Sequence, residues 1–220
     1  MPEPPPDFTV ALVDLDGTII DSAPGITKTL AATLIRMGLP VPPPERLVEF
    51  VGPPIMDGLR DLAGLDPDQS QEALGLYREE YREAGAFDAQ PYAGIRDALC
   101  TMKKRLPLAV ATSKPEIQAK RILQHFGLAD LFTVIAGASE DEVRSEKADV
   151  ITWALGLLRE QGVDTSRPVM IGDRMHDVAG AAVHGIPSIF VKWGYGDPAE
   201  AAGSAAIAAV PGDLPGLVLG

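Results

Sequence analysis

Two aspartates, Asp14 and Asp16, stand where the apolar run Thr9–Leu15 stops, and Gly17 and Thr18 break the run at once. Spaced two apart on an extended strand, they face the same side. A continuous apolar run belongs to a strand buried on both faces of a parallel sheet, so the carboxylates meet at a buried carboxyl edge rather than on a wet face. Like charges in such a place are costly unless a cation neutralises them or one of them holds a proton. The pair therefore predicts a metal, a catalytic proton, or both.

Three further segments carry residues suited to the same chemistry. Thr112 and Ser113 close an apolar run just before Pro115 starts a helix, Lys147 in "RSEK" opens another helix, and "IGDRMHD" ends a strand with Asp173 and Asp177. The elements that hold them alternate from Pro91 onward: helix "AGIRDALCTMKKR", strand "LPLAVATS", helix "PEIQAKRILQHFG", strand "FTVIAG", helix "KADVITWALGLLREQG", strand "PVMIGD", helix "MHDVAGAAVHG" and strand "IPSIFVKW". Strand–helix units of this length predict an α/β fold built on a doubly wound parallel sheet, in which ligands bind beyond the carboxyl ends of the strands. Between residues 21 and 90 no strand signal appears. This segment reads as a helix over Ala23–Gly38, the break "LPVPPP", short elements near Glu45–Phe50 and Ile55–Ala63, and an exposed amphipathic helix in "DPDQSQEALGLYREEYREAGA". The chain thus divides into an α/β core, residues 1–20 and 88–220, and an inserted all-helical cap, residues 21–87.

Composition narrows the function. With 46% hydrophobic residues among 220, the chain can bury a sizeable core. Its 31 acidic and 19 basic residues give a net charge of −12, which repels phosphate backbones and anionic lipid and so argues against nucleic acid and membrane as partners. The single cysteine, Cys100, excludes an internal disulfide and a thiolate zinc site. No stretch of about 20 apolar residues occurs and the start lacks a secretory pattern, so the protein is expected in the cytoplasm, with disorder confined to the tip "MPEPPPD".

The four segments, in this order, resemble the four motifs of the haloacid dehalogenase-like (HAD) phosphatase superfamily. The insertion directly after "DLDGTIIDS" resembles the small cap of the phosphoglycolate phosphatase-like branch, and "GPP", "HFGL" and "WGYG" add to the likeness. The resemblance implies a Rossmann-like core and a Mg²⁺-dependent phosphatase acting on a small phosphorylated metabolite, such as phosphoglycolate or a nucleoside monophosphate. Carried onto this chain, Asp14 is the nucleophile that forms an aspartyl-phosphate and Asp16 the general acid that later activates water. Lys147 supplies fixed positive charge, and Thr112 and Ser113 offer a hydroxyl and N–H groups to phosphate. Mg²⁺ would take Asp14, Asp173 and the backbone carbonyl of Asp16, with Asp177 standing nearby or behind them.

Gly52, in the rigid turn Gly52–Met56, is the expected contact of the cap with substrate, because glycine permits close approach and two prolines fix the backbone. A sugar phosphomutase shares the two aspartates but must grip a second phosphate from the cap, where "VGPPIM" has no Arg or Lys and only Lys28 and Arg60 remain. A phosphonate hydrolase would need a cap lysine, again Lys28, and a dehalogenase usually lacks an acid at the position of Asp16. A non-catalytic regulatory protein on the same scaffold should have lost an essential acid, and none is missing. His176 and His184 read as packed or solvated, His125 as closing a helix and Trp153 as core. Trp193 and Tyr195 read as a loop near the site or as packing, and Lys114 and Arg144 as single surface charges or aids to phosphate binding.

Overall fold

The computed structural model describes residues 8–220; the tip expected to be disordered lies outside the described residues. The first strand, β1 (Val10–Val13), is buried along its whole length. After it the chain runs through β2 (Ile20–Asp21), α1 (Ala23–Arg36), α2 (Pro44–Leu47), α3 (Ile55–Asp57), α4 (Pro67–Glu83) and β3 (Gln90–Pro91). It then alternates as α5 (Ile95–Lys103), β4 (Leu108–Pro115), α6 (Glu116–His125), β5 (Val134–Ala138), α7 (Lys147–Glu160), β6 (Pro168–Gly172), α8 (Met175–Val183) and β7 (Ser188–Val191), before β8 (Ala206–Ala208) and α9 (Leu214–Leu219).

Six strands form one parallel sheet in the order β5-β4-β1-β6-β7-β8. The period of two divides each strand between the two faces of the sheet. Ala11 and Val13 join Leu108, Val110, Val169 and Ile171 in one apolar cluster with residues of α5, α6 and α9. Val10 and Leu12 join Ala109, Met170 and residues of α7 and α8 in the other. Helices therefore cover both faces, and β1 is central because both of its edges are paired. The strand order reverses at β1, between β4 and β6, and there the crevice beyond the carboxyl ends opens.

Within the insertion, α1 and α4 pack through Leu30, Leu34, Ala73 and Leu74. Asp66 starts α4 with a capping box: its Oδ1 accepts from Gln69 N at 2.9 Å, and Gln69 Oε1 accepts from Asp66 N at 3.3 Å. The expected exposed helix is amphipathic, but it turns Tyr77 and Tyr81 inward. One π-helical turn, Gly58–Leu62, continues α3 where a regular helix was expected. The antiparallel ribbon β2–β3, pairing Ile20 with Pro91 and Asp21 with Gln90, ties the two crossings between insertion and core together. No helix of the described residues is long and apolar enough to cross a membrane.

Candidate active site

β1 carries Asp14 into the crevice, where its side chain is buried. Asp14 Oδ1 accepts from Lys147 Nζ at 2.7 Å. The same ammonium donates to the Ala111 carbonyl at 3.1 Å and pairs with Asp177 Oδ1 at 2.7 Å. A lysine at the first position of α7 opposes the helix dipole, and its burial is unfavourable alone. Burial pushes Lys147 down, yet Asp14 and Asp177 outweigh it and hold the ammonium above its ordinary range.

Asp173 follows β6 and is fully buried; Asp177 lies in the first turn of α8, where an acid suits the dipole. Carboxylate oxygens of Asp14, Asp173 and Asp177 all lie within 4.8 Å of one another. Asp177, expected nearby or behind the others, offers an oxygen to the same space as Asp173. Asp173 accepts from Thr18 Oγ1 at 3.3 Å and from the Tyr195 backbone N–H at 2.7 Å. The turn that brings Thr18 there needs glycine at position 17: its φ is +81°, and a Cβ would lie 2.3 Å from Asp173 Oδ2.

Burial pushes the Asp14 carboxyl up to about 6, with Lys147 opposing and Asp177 adding to the rise. Asp173 is raised well above the carboxylate range by burial, and by Asp177 and Asp14 beside it. One ammonium balances only part of this negative charge. Three carboxylate donors without nitrogen or sulfur fit a hard divalent cation such as Mg²⁺.

Asp16 lies outside that cluster. Its Oδ2 accepts from Lys114 Nζ at 2.8 Å, and its buried Oδ1 has no hydrogen-bond partner. Lys114 is thus not a surface charge: the side chain is buried, and Asp16 and Tyr81 raise its pKa against the opposing effect of burial. A bulge in β4 between Thr112 and Pro115 re-aims the chain. The consecutive Ser113 and Lys114 consequently both line a cleft of about 140 Å³ beside Asp16. Thr112 is buried and braces the bulge, its Oγ1 accepting from Lys114 N at 3.3 Å.

The insertion forms the opposite wall with Phe50, Gly52, Ile55, Tyr77 and Tyr81. The two tyrosine rings stack with centroids 5.5 Å apart, and Lys114 Nζ lies 4.7 Å from the Tyr81 centroid. Gly52 has φ +107°, and a Cβ there would press to 2.9 Å from Arg174 Cγ. Arg174 reaches across from the core to the Val51 carbonyl and pairs with Glu200 at 3.1 Å. On the other side Arg78 of α4 pairs with Glu142 and donates to the Glu140 carbonyl at 3.3 Å. Arginines thus fasten insertion to core at these two places, and Arg121 of α6 adds a third by donating to the Arg82 carbonyl at 3.3 Å. Lys28 pairs with Asp88 and its side chain is 82% exposed, Arg60 pairs with Asp57, and neither lines the cleft.

Sequence reasoning missed the roles of Arg174, Tyr77 and Tyr81, and weighed Lys114 only as a surface charge or an aid to phosphate binding. The signal for the tyrosines was present as an i, i+4 pair in "YREEY", which puts both on one face. Trp153 is not core: it is 39% exposed, donates to Glu116 Oε2 at 3.2 Å, and carries Arg144 over its ring. Arg144 lies outside the cleft and donates to the Gly137 carbonyl at 3.0 Å. His184 follows α8, with Nε2 2.9 Å from the Ala148 carbonyl, while His125 ends α6 against Phe87. His176 Nδ1 is buried without a partner, and neither His176 nor His184 joins the carboxylate cluster. Trp193 donates to the Thr18 carbonyl at 3.0 Å. The Tyr195 hydroxyl accepts from Ser22 N at 2.7 Å and Ala23 N at 2.9 Å and donates to Asp21 Oδ1 at 2.7 Å.

A parallel α/β core with acids gathered at its switch point, under a helical insertion placed directly after β1, is the architecture of the haloacid dehalogenase-like hydrolases. The model of that family matches residues 11–191, and the chain belongs to it. A tyrosine-protein kinase, PtkA, of Mycobacterium tuberculosis is 44% identical over 188 residues; the match covers 85% of this chain and 63% of that protein's length. A 5'-nucleotidase of Pseudomonas aeruginosa is 37% identical over 190 residues, covering 86% of this chain and 85% of that one. Among solved structures, one from Clostridium acetobutylicum described as a predicted phosphatase superposes with a TM-score of 0.89 at 36% identity, covering 96% of this chain and 97% of that one.

Proposed function

We propose that the protein is a Mg²⁺-dependent phosphatase that hydrolyses a small phosphomonoester through an aspartyl-phosphate on Asp14, in the cytoplasm. The observation that carries this reading is the division of labour between the two aspartates. Asp14 is held at 2.7 Å by Lys147 within the carboxylate cluster, while Asp16 is held at 2.8 Å by Lys114 with its other oxygen unbonded beside the cleft. The names of the relatives, a kinase and a nucleotidase, both belong to phosphoryl chemistry.

In the first step a carboxylate oxygen of Asp14 attacks phosphorus, an Asp14–phosphorus bond forms as the ester P–O bond breaks, and protonated Asp16 gives its proton to the departing alkoxide. In the second, water attacks the same phosphorus, Asp16 takes its proton, and phosphate leaves Asp14 as a free carboxylate. Lys147 keeps positive charge beside Asp14 throughout, and Ser113 offers a donor to the phosphoryl oxygens. Asp14, Asp173 and the Asp16 carbonyl would hold the cation, with Asp177 beside them. When bound, it supplies charge that offsets repulsion between the phosphoryl oxygens and the attacking carboxylate.

Residues 21–87 act as a lid that excludes water and selects the leaving group, hinged near Asp21–Pro24 and Phe87–Tyr92 where the chain crosses between the modules. Neither Lys28 nor Arg60 lines the cleft, but Arg78 and Arg82 of α4 do, so the mutase alternative stays open to test. Turnover of p-nitrophenyl phosphate with Mg²⁺, lost on adding EDTA, tests the reading. Activity that persists in EDTA contradicts the cation; no activity under either condition favours a non-catalytic protein on this scaffold.

A further inference from the structure

We infer that the cleft beyond Asp16 seats the leaving group and selects phosphate monoesters whose alcohol carries an uncharged ring, as in a nucleoside 5'-monophosphate, over compact carboxylated esters such as phosphoglycolate. The inference rests on the phosphatase reading and goes further by choosing between its two substrate classes. Asp16 joins the two sites: it stands two residues from Asp14, and its unbonded Oδ1 belongs to a residue that lines the cleft. An alcohol protonated by Asp16 departs into this space.

The walls there combine apolar and aromatic faces with charged groups. Ile26, Phe50, Ile55 and the stacked rings of Tyr77 and Tyr81 face Lys114 and Ser113. A carboxylated leaving group needs an unpaired cation, and the two cations inside the cleft, Lys114 and Arg78, are already engaged. Lys114 is paired with Asp16 at 2.8 Å and Arg78 with Glu142. Taking Lys114 would leave Asp16 uncompensated where solvent access is low, which is the costly way to open an ion pair. At the rim, Arg82 is exposed, so water screens its charge and an acid gains little from it.

One polar atom does stand ready. The Tyr81 hydroxyl is buried beside the Lys114 ammonium without a hydrogen bond of good geometry, a condition that native structures generally relieve with a ligand or water. It can serve a hydroxyl or a ring heteroatom of an uncharged alcohol. Aromatic faces and one neutral hydrogen-bonding group describe a ring-bearing alcohol better than an acid.

The experiment compares kcat/KM for a nucleoside 5'-monophosphate, benzyl phosphate and phosphoglycolate at saturating Mg²⁺. All three are alkyl esters, which limits differences in leaving-group acidity. The ring-bearing esters are expected to lead phosphoglycolate by at least about tenfold. Ile117, half exposed on the core side of the cleft, can be changed without opening the interior. Ile117→Arg adds an unpaired cation and is expected to lower that preference at least about fivefold. Turnover with phosphoglycolate equal or superior overturns the inference and leaves the phosphatase reading standing; absence of turnover on every ester overturns both. An unchanged preference in Ile117→Arg means that the leaving group sits elsewhere.

Discussion

Replacing Lys147 with methionine keeps most of the side-chain volume and removes the one ammonium that faces the carboxylate cluster. In the parent, Nζ lies 2.7 Å from both Asp14 Oδ1 and Asp177 Oδ1, and all three side chains are at most 4% exposed. Removing one partner of a buried ion pair costs about 3–5 kcal/mol, because the remaining charge has no compensation. For a chain of this size each kcal/mol moves Tm by about 2–4 °C, so the metal-free Lys147→Met protein is expected to melt roughly 6–20 °C below the parent. Adding Asp14→Asn to the variant removes one of the stranded charges and should recover part of the loss, a coupling that two independent sites would not show. Mg²⁺ at about 100 times its Kd returns up to about 2.7 kcal/mol. The assay is thermal unfolding in EDTA and again in Mg²⁺, followed by circular dichroism. A metal-free Tm within about 2 °C of the parent would refute the reasoning, since it would mean that the carboxylates do not depend on Lys147 for compensation.

Three further outcomes are expected. Asp14→Asn should lower turnover roughly a thousandfold or more with the fold intact, because the amide is isosteric but is no anionic nucleophile; retention of more than about a tenth of activity, less than 1.4 kcal/mol of barrier, sinks the assignment. Asp173→Asn should abolish the rise of Tm with Mg²⁺ seen in the parent, and a full rise in the variant would place the cation elsewhere. Ile55→Glu puts a charge on the insertion's wall of the cleft and should reorder natural substrates while affecting p-nitrophenyl phosphate less; equal losses on all of them, at unchanged stability, would remove this turn from specificity.

The alternation of strand and helix after Pro91 was legible because each strand is buried on both faces and so reads as an unbroken apolar run. The two acids after β1 were legible for the converse reason, since charge at the end of such a run has few structural uses. Other features depended on distance in space rather than order in sequence. Lys114 reads as a surface charge until Asp16, 98 residues away, is placed against it. Tyr77 and Tyr81 sit on a helix whose remaining surface is charged, so its inward stripe was overshadowed by the solvated face. The "AIA" of β8 and the two-residue strands of the ribbon are too short to carry a periodicity. Trp153 lies outward because Glu116 and Arg144 supply it with polar company.

Tyr195 deserves a last consequence. Its backbone N–H holds Asp173, and its hydroxyl is bound to Asp21, Ser22 and Ala23, where the chain leaves the core. A single residue therefore touches both the carboxylate cluster and the first crossing into the insertion. A swing of the insertion that disturbed those hydroxyl bonds would be felt by the residue that orients Asp173, and a cation held by Asp173 would stiffen the crossing in return. Linkage makes the exchange symmetric: by whatever factor the cation favours the closed insertion, closure favours the cation. If residues 21–87 close as a lid over a bound cation, charging the site and shutting it would be coupled through one side chain and its own amide.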